Sequence, residues 1–183
     1  LSSGEAFYRQ LTSHWTNPES IVINGKEPPT LLTTPTAWPD TDCFEHSMMA
    51  MDAQTYMSDD ILVKVDRAAM ANSLETRVPL LDHRVVEFAW QLPLNMKIRN
   101  GVGKWALREV LYRHVPREMI ERPKKGFSIP LAEWLRGPLK NWAECLLSEK
   151  RLTSEGYFVT SRIRSVWESH LSGKKDHSRQ LWS

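Results

Sequence analysis

Only two cysteines, Cys43 and Cys145, occur in the 183 residues, far apart and in no CxxC pair. That excludes a disulfide framework or a Cys-based zinc site as the expectation and favours two reduced thiols in a cytosolic protein. No apolar run approaches the ~20 residues that a bilayer-spanning helix requires, and no signal-peptide pattern is present. The histidines, His14, His46, His83, His114, His170 and His177, form no HExxH or other tight ligand spacing, so no metal site is expected from this segment alone. GxSxG is missing, and so is the GxxxxGK[ST] phosphate loop. Strand patterns are scarce, with only "SIVI" and "LNMKI" as candidates, and there are no internal repeats or low-complexity tracts. The net charge is +2, too small for a global field that would commit the chain to nucleic acid. Any basic chemistry has to be local.

What is present reads as globular. Hydrophobic residues make up 41% and charged residues 25%, so a packed core rather than disorder is expected. The length fits one domain or a large part of one. The fold class is mainly α. Phe7, Leu11 and Trp15 lie at helical spacing after a Ser or Gly cap. Residues 17–39 hold five of the eleven prolines and are expected to be an irregular surface connection. From 43 to 182 the pattern is helical. A helix is expected over 43–56 with Met48, Met49 and Ala53 inward, and another over "SDDILVKVDRAAMANSL" with Ser58 as N-cap and Leu62, Val65, Ala69 and Leu74 as its apolar face. Asp82 should cap "HRVVEFAWQL", which Pro93 ends. Helices are also expected from Gly103 to Arg113, from Pro116 to Ile120, after Pro130, and over "LKNWAECLL". Thr160 should cap "SRIRSVWESHL", with Ile163, Val166 and Trp167 inward and Gly173 as its stop. Asp176 is the candidate cap of a last helix.

Three constellations could carry chemistry. Between Arg113 and Lys125 stand Arg113, Arg117, Arg122, Lys124 and Lys125 against Glu118 and Glu121, a local charge of +3. Pro123 fixes one backbone angle and Gly126 permits a turn, so "ERPKKGFSIP" could hold its lysines at a defined place. Lysine suits phosphate oxygens, and a pre-positioned cation assists a transition state that builds charge there. Charge alone equally describes a solvated basic turn. In "ETRVPLLDHR", Glu75 and Arg77 are two apart and would not face each other on a helix, so separate partners in half-buried ion pairs are expected. Lys64, Asp66 and Arg67 read as a similar paired network. In "GVGKWALRE", Lys104 and Arg108 near a helix start resemble half of a phosphate-binding device, with an ordinary helix start as the plain alternative.

The series "YMSDDILVKVDRAAMANSLETRVPLLDHRVVEFAWQLP", then "GKWALREVL", then "VPREMIERPKKGFSIPLAEWLRGPL" resembles the C-terminal half of the synthetase domain of glutamine-hydrolysing asparagine synthetases. More narrowly it is similar to the bacterial branch found with polysaccharide biosynthesis genes. The resemblance is dense from Tyr56 to Leu139 and looser to Trp182; before Cys43 it holds only in position. It implies that residues 1–183 are the helical C-terminal part of an α/β adenine-nucleotide alpha-hydrolase-like (PP-loop ATP pyrophosphatase) domain. In such enzymes an N-terminal glutaminase releases ammonia, which travels through an internal tunnel. The synthetase domain uses ATP and Mg²⁺ to adenylate the aspartate side-chain carboxylate, and ammonia then displaces AMP to give asparagine.

The family's SGGxDS and SGEGxDE segments and its glutaminase nucleophile have no counterpart in this sequence, and "LSSGEAF" echoes the second only superficially, so Glu5 receives no catalytic role. The chain is therefore expected to be a fragment, inactive alone, with ATP and Mg²⁺ held mainly elsewhere in the parent protein. The resemblance places Lys124 at the position of a family lysine that contacts the phosphates and the adenylated intermediate. Arg122 and Lys125 are its neighbours in that role, and Lys104 is a further phosphate candidate. Implied partners are ATP, aspartate, glutamine-derived ammonia and the glutaminase domain, without nucleic acid or membrane; the implied location is cytoplasmic, and a homodimer stays open. Two alternatives remain at this point: an amidotransferase of the same family acting on another carboxylate, and a helical anion-binding module.

Overall fold

The computed structural model describes residues 3–123 and 129–183. In chain order its helices are α1 (Gly4–Thr12), α2 (Phe44–Gln54), α3 (Leu62–Met70), α4 (His83–Gln91), α5 (Leu94–Lys97), α6 (Trp105–Leu111), α7 (Arg117–Ile120), α8 (Leu131–Arg136), α9 (Lys140–Leu146), α10 (Glu149–Glu155), α11 (Thr160–Leu171) and α12 (Ser178–Trp182). Strands β1 (Ile98–Arg99) and β2 (Val102–Gly103) pair antiparallel. The fold is mainly helical, as the periodicity requires. The described residues divide into two units, 3–38 with 129–183, and 39–123.

The first unit is built around Trp167, which is completely buried with Leu135 and Ala143. Leu131, Leu139, Leu171 and Leu181 pack against this cluster. Leu147 also touches a second cluster of Ile21, Leu152 and Ile163, so the two form a continuous apolar core. Ile163 and Trp167 are four apart on α11 and so share one face of it, as the spacing predicts. The buried Trp167 indole needs a polar partner: its Nε1–H donates to Glu144 Oε2 at 2.5 Å. Arg164 Nη1 donates to the other oxygen of Glu144 at 2.7 Å and to the Leu147 carbonyl at 3.0 Å. These contacts hold the Glu144 carboxyl below its usual range, the indole first and Arg164 after it. His170, also fully buried, accepts from the His177 N–H through Nδ1 at 3.2 Å. Burial pushes its pKa down, and Arg136 adds to that. Gly173 ends α11 with φ of +74°, a left-handed turn that glycine adopts without a Cβ clash. The N-cap of α12 is His177, without a side-chain cap bond, and not the expected Asp176; Asp176, one residue earlier, accepts from the Ser178 N–H through Oδ1 at 2.8 Å.

The proline-rich stretch after α1 contributes more than a connection. Ile21 is buried, and Val22 bridges antiparallel to Phe158 through Ile23 N–H to Tyr157 O at 2.9 Å and Val159 N–H to Ile21 O at 2.7 Å. On α1 the buried side chain is Tyr8, whose ring meets Trp38 edge-on at 5.4 Å. The expected face fails there, since Phe7 and Leu11 are exposed and Trp15 lies beyond the helix. Thr160 opens α11 without a side-chain cap.

In the second unit, α2 does not stop before Ser58. It continues through a π-helical turn, Tyr56–Ile61, into α3. Ser58 is therefore not an N-cap: its hydroxyl donates back to the Gln54 carbonyl at 3.1 Å, as Thr55 does to Met51 at 2.7 Å. Such back-bonding inside a helix satisfies the hydroxyl without ending the helix. Ala50 and Met51 are the buried residues of α2, in place of the expected Met48, Met49 and Ala53. Asp82 does cap α4, accepting from the Arg84 N–H at 2.9 Å. Lys97 Nζ ties α5 to α2 and α4 by approaching His46 Nε2 at 3.1 Å and the Trp90 carbonyl at 3.3 Å. Asn100 and Gly101 both have positive φ, the two-residue turn that joins a tight β-hairpin.

Candidate active-site segment

The candidate cations of the sequence do not converge on one pocket among the described residues. Lys124 and Lys125 lie outside those residues. Arg122 follows α7 with its side chain exposed. Lys104 sits just ahead of α6 with φ of +61°, a left-handed backbone that is uncommon for lysine and costs energy to hold. It borders an apolar pocket of about 380 Å³ with Met49, Met57, Leu81, Trp90 and Lys97. The larger cavity of about 990 Å³, lined by Trp15, Leu135, Trp142, Leu147 and Trp182, contains none of the candidate residues.

Arg108 is not available for phosphate in this arrangement. Its Nε donates to the Gly103 carbonyl at 3.1 Å, and its Nη1 donates to Glu121 Oε1 at 2.8 Å. The same Glu121 oxygen accepts from the Tyr112 hydroxyl. These two donors, Tyr112 first, hold the Glu121 carboxyl below its usual range, and the Tyr112 hydroxyl, with Glu121 after it, raises the Arg108 guanidinium above its own. Arg117 lies over the Tyr112 ring, 4.4 Å from its centroid, and donates to Glu109 at 3.3 Å. Arg99 stacks on Trp105 at 4.4 Å on the hairpin side. Arg108, Glu109, Tyr112, Arg117 and Glu121 thus form a network that joins β2, α6 and α7 immediately before Arg122. Sequence reasoning missed it, although the signal was available: Arg108 and Tyr112 are four apart, as are Arg117 and Glu121, and helical spacing puts each pair on one face.

The other charged constellations are ordinary surface pairs. Glu75 and Arg77 do not find separate partners. The chain between α3 and the 3₁₀ turn at Pro79–Leu81 is not helical, so the two can meet, and Arg77 Nη2 lies 2.6 Å from Glu75 Oε1 with both side chains largely exposed. Lys64 pairs with Asp60 one turn away, while Asp66 and Arg67 are exposed, so the expected interior network is not formed. No helix of the described residues is long and apolar enough to cross a membrane.

Comparison with known proteins places the sequence in a family. The chain is 32% identical to the glutamine-hydrolysing asparagine synthetase 1 of Bacillus subtilis over 179 residues, which is 98% of this chain and 27% of that protein. A Mycobacterium bovis relative is 41% identical over 138 residues, 74% of this chain and 21% of its own length. The human glutamine-hydrolysing asparagine synthetase is 29% identical over 189 residues, 91% of this chain and 33% of its own. The chain therefore spans about a fifth to a third of the length of the curated relatives it matches. No solved structure gives a significant match. The family model described as asparagine synthase matches residues 2–183, segment before Cys43 included, and the chain belongs to that family.

Proposed function

We propose that this chain is the helical part of an ATP-dependent carbon–nitrogen ligase that adenylates the aspartate side-chain carboxylate and converts it to asparagine with glutamine-derived ammonia. The observation that carries the reading is the family match across residues 2–183. A carboxylate is a poor electrophile until one of its oxygens belongs to a good leaving group, and ATP supplies that group when bound. The chain's own contribution would be cationic. Lys124 is assigned to the phosphates and the adenylated intermediate, with Arg122, Lys125 and Lys104 as supporting contacts. Arg122 and Lys104 are exposed and form no ion pair among the described residues, so their charge is free to meet phosphate oxygens. The strained backbone at Lys104 fits a residue held for a purpose.

Among the described residues no group of three His, Cys, Asp or Glu side chains could hold a metal ion. We assign Mg²⁺ and the glutaminase chemistry to other parts of the parent polypeptide. The test is release of AMP and pyrophosphate by the full-length polypeptide, supplied with ammonium and a panel of carboxylates. Release that requires aspartate is the expected result. Release with other carboxylates and none with aspartate would replace the substrate but keep the chemistry; release with no carboxylate in the panel would overturn the ligase reading.

A further inference from the structure

Helix α7 is a single turn of four residues, Arg117–Ile120. Isolated helices of that length do not persist in water, because the cost of nucleation exceeds the gain from so few hydrogen bonds. Its backbone makes only short-range bonds, Glu121 N–H to Arg117 O at 2.7 Å and Arg122 N–H to Ile120 O at 2.9 Å among them. The turn must therefore be held from outside. Both of its ends are: Arg117 stacks on Tyr112 and pairs with Glu109, and Glu121 accepts from Arg108 and Tyr112. Arg108 is the most enclosed of the charged members, with its side chain 22% exposed, and it is itself fixed to the Gly103 carbonyl. The chain direction set at Glu121 then passes into Arg122–Pro123, where the proline ring locks φ.

We propose that Arg108, Tyr112 and Glu121 are positioning residues, a clamp that sets where the basic segment beginning at Arg122 leaves α7. The functional part of this inference rests on the phosphate role proposed above for that segment. The clamp assigns Arg108 a different task from direct phosphate contact, and it gives Glu121 a task that its charge alone would contradict. A carboxylate inside a cation cluster weakens attraction for phosphate. If charge were all that mattered, removing Glu121 would tighten ATP binding. If the clamp matters, removing it weakens binding, because misplaced cations lose their geometry. The lowered pKa of Glu121 agrees with a carboxylate that stays ionised and engaged at neutral pH.

Two measurements separate the clamp from the phosphate reading. The first is the rate of tryptic cleavage after Lys124 and Lys125 in the 183-residue chain, resolved by mass spectrometry; Pro123 shields Arg122 from the protease. Glu121→Ala and Tyr112→Phe are expected to speed these two cleavages about fivefold relative to other sites, in line with the loss of a charge-assisted hydrogen bond. Glu121→Gln, which keeps an acceptor oxygen, should fall between. The second is steady-state kinetics of the full-length polypeptide, where Glu121→Ala and Arg108→Lys should raise KM for ATP by roughly 5- to 10-fold with a smaller change in kcat. Tyr112→Phe removes one oxygen and keeps the ring under Arg117, so it serves should Glu121→Ala fail to fold. Unchanged cleavage rates in both Glu121→Ala and Tyr112→Phe would overturn the clamp, and so would a lower KM for ATP in Glu121→Ala. Faster cleavage with an unchanged KM would uphold the clamp and remove the phosphate role of the segment.

Discussion

The helices after residue 129 close Leu135, Ala143 and Leu171 around a fully buried Trp167, whereas among the described residues of the 39–123 unit the buried apolar side chains are Ala50 and Met51, with Met70, Leu74, Phe88 and Met119 more than half exposed. The family match runs through both units, so membership of the family does not depend on how well a unit buries its own apolar side chains. In the C-terminal unit, residue identity is set by packing and by the polar needs of one buried indole. In the 39–123 unit it is set by caps, ion pairs and the clamp that precedes the basic segment. Apolar side chains such as Phe88 contribute little to the chain's own interior.

The contrast can be broken most forcefully at Trp167. Trp167→Ala should destabilise the C-terminal unit by about 3–5 kcal/mol, the usual cost of removing a buried Trp or Phe, and also strand the Glu144 carboxylate without its indole donor. Circular dichroism melts of the chain would read this directly; a shift of only a degree or two would show that the core is not where the packing places it. A smaller effect should come from acid. His170 has a folded pKa below its ordinary value, so the stability it contributes is fully present above about 6.5 and is lost as pH falls below that toward its folded value. Glu144 is depressed as well, so its contribution is present above its ordinary carboxylate value and disappears as pH falls through the lowered one. Melts between pH 8 and pH 4 should show the C-terminal unit weakening from about pH 6.5 downward. His170→Gln should flatten the first part of that decline, and a profile unchanged by the substitution would remove His170 as its source. The smallest effect is expected at Phe88. Its ring is 62% exposed, so Phe88→Ser should change the stability of this chain by no more than about 0.5 kcal/mol. A loss comparable to that at Trp167 would mean that the two units do not differ as described.

Local rules carried much of the fold. The cap at Asp82, the stop at Gly173 and the inward face of Ile163 and Trp167 all follow from spacing and residue type, and all are present. What was lost was decided by distant partners or by competition between local signals. Tyr8 is buried instead of Phe7 because Trp38, thirty residues on in the chain, receives its ring. Ser58 looks like a cap in isolation, yet its hydroxyl and that of Thr55 bond back to helix carbonyls and let α2 run on into α3. The Asn100-Gly101 pair is a readable hairpin signal, whereas α10 lies outside the helices that periodicity predicts. At the candidate site, residue types pointed to cations but not to their pairing. Sequence proximity groups Arg108 with Lys104, while the turn between α6 and α7 delivers it to Glu121, thirteen residues away.

The central claim is that the basic segment serves ATP-dependent amide formation in the parent polypeptide. Substitution of Lys124 tests it most directly. In the full-length protein, Lys124→Ala should abolish glutamine- and ammonium-dependent asparagine formation together with AMP release, while glutamine hydrolysis continues. Near-normal asparagine production by that variant would contradict the claim.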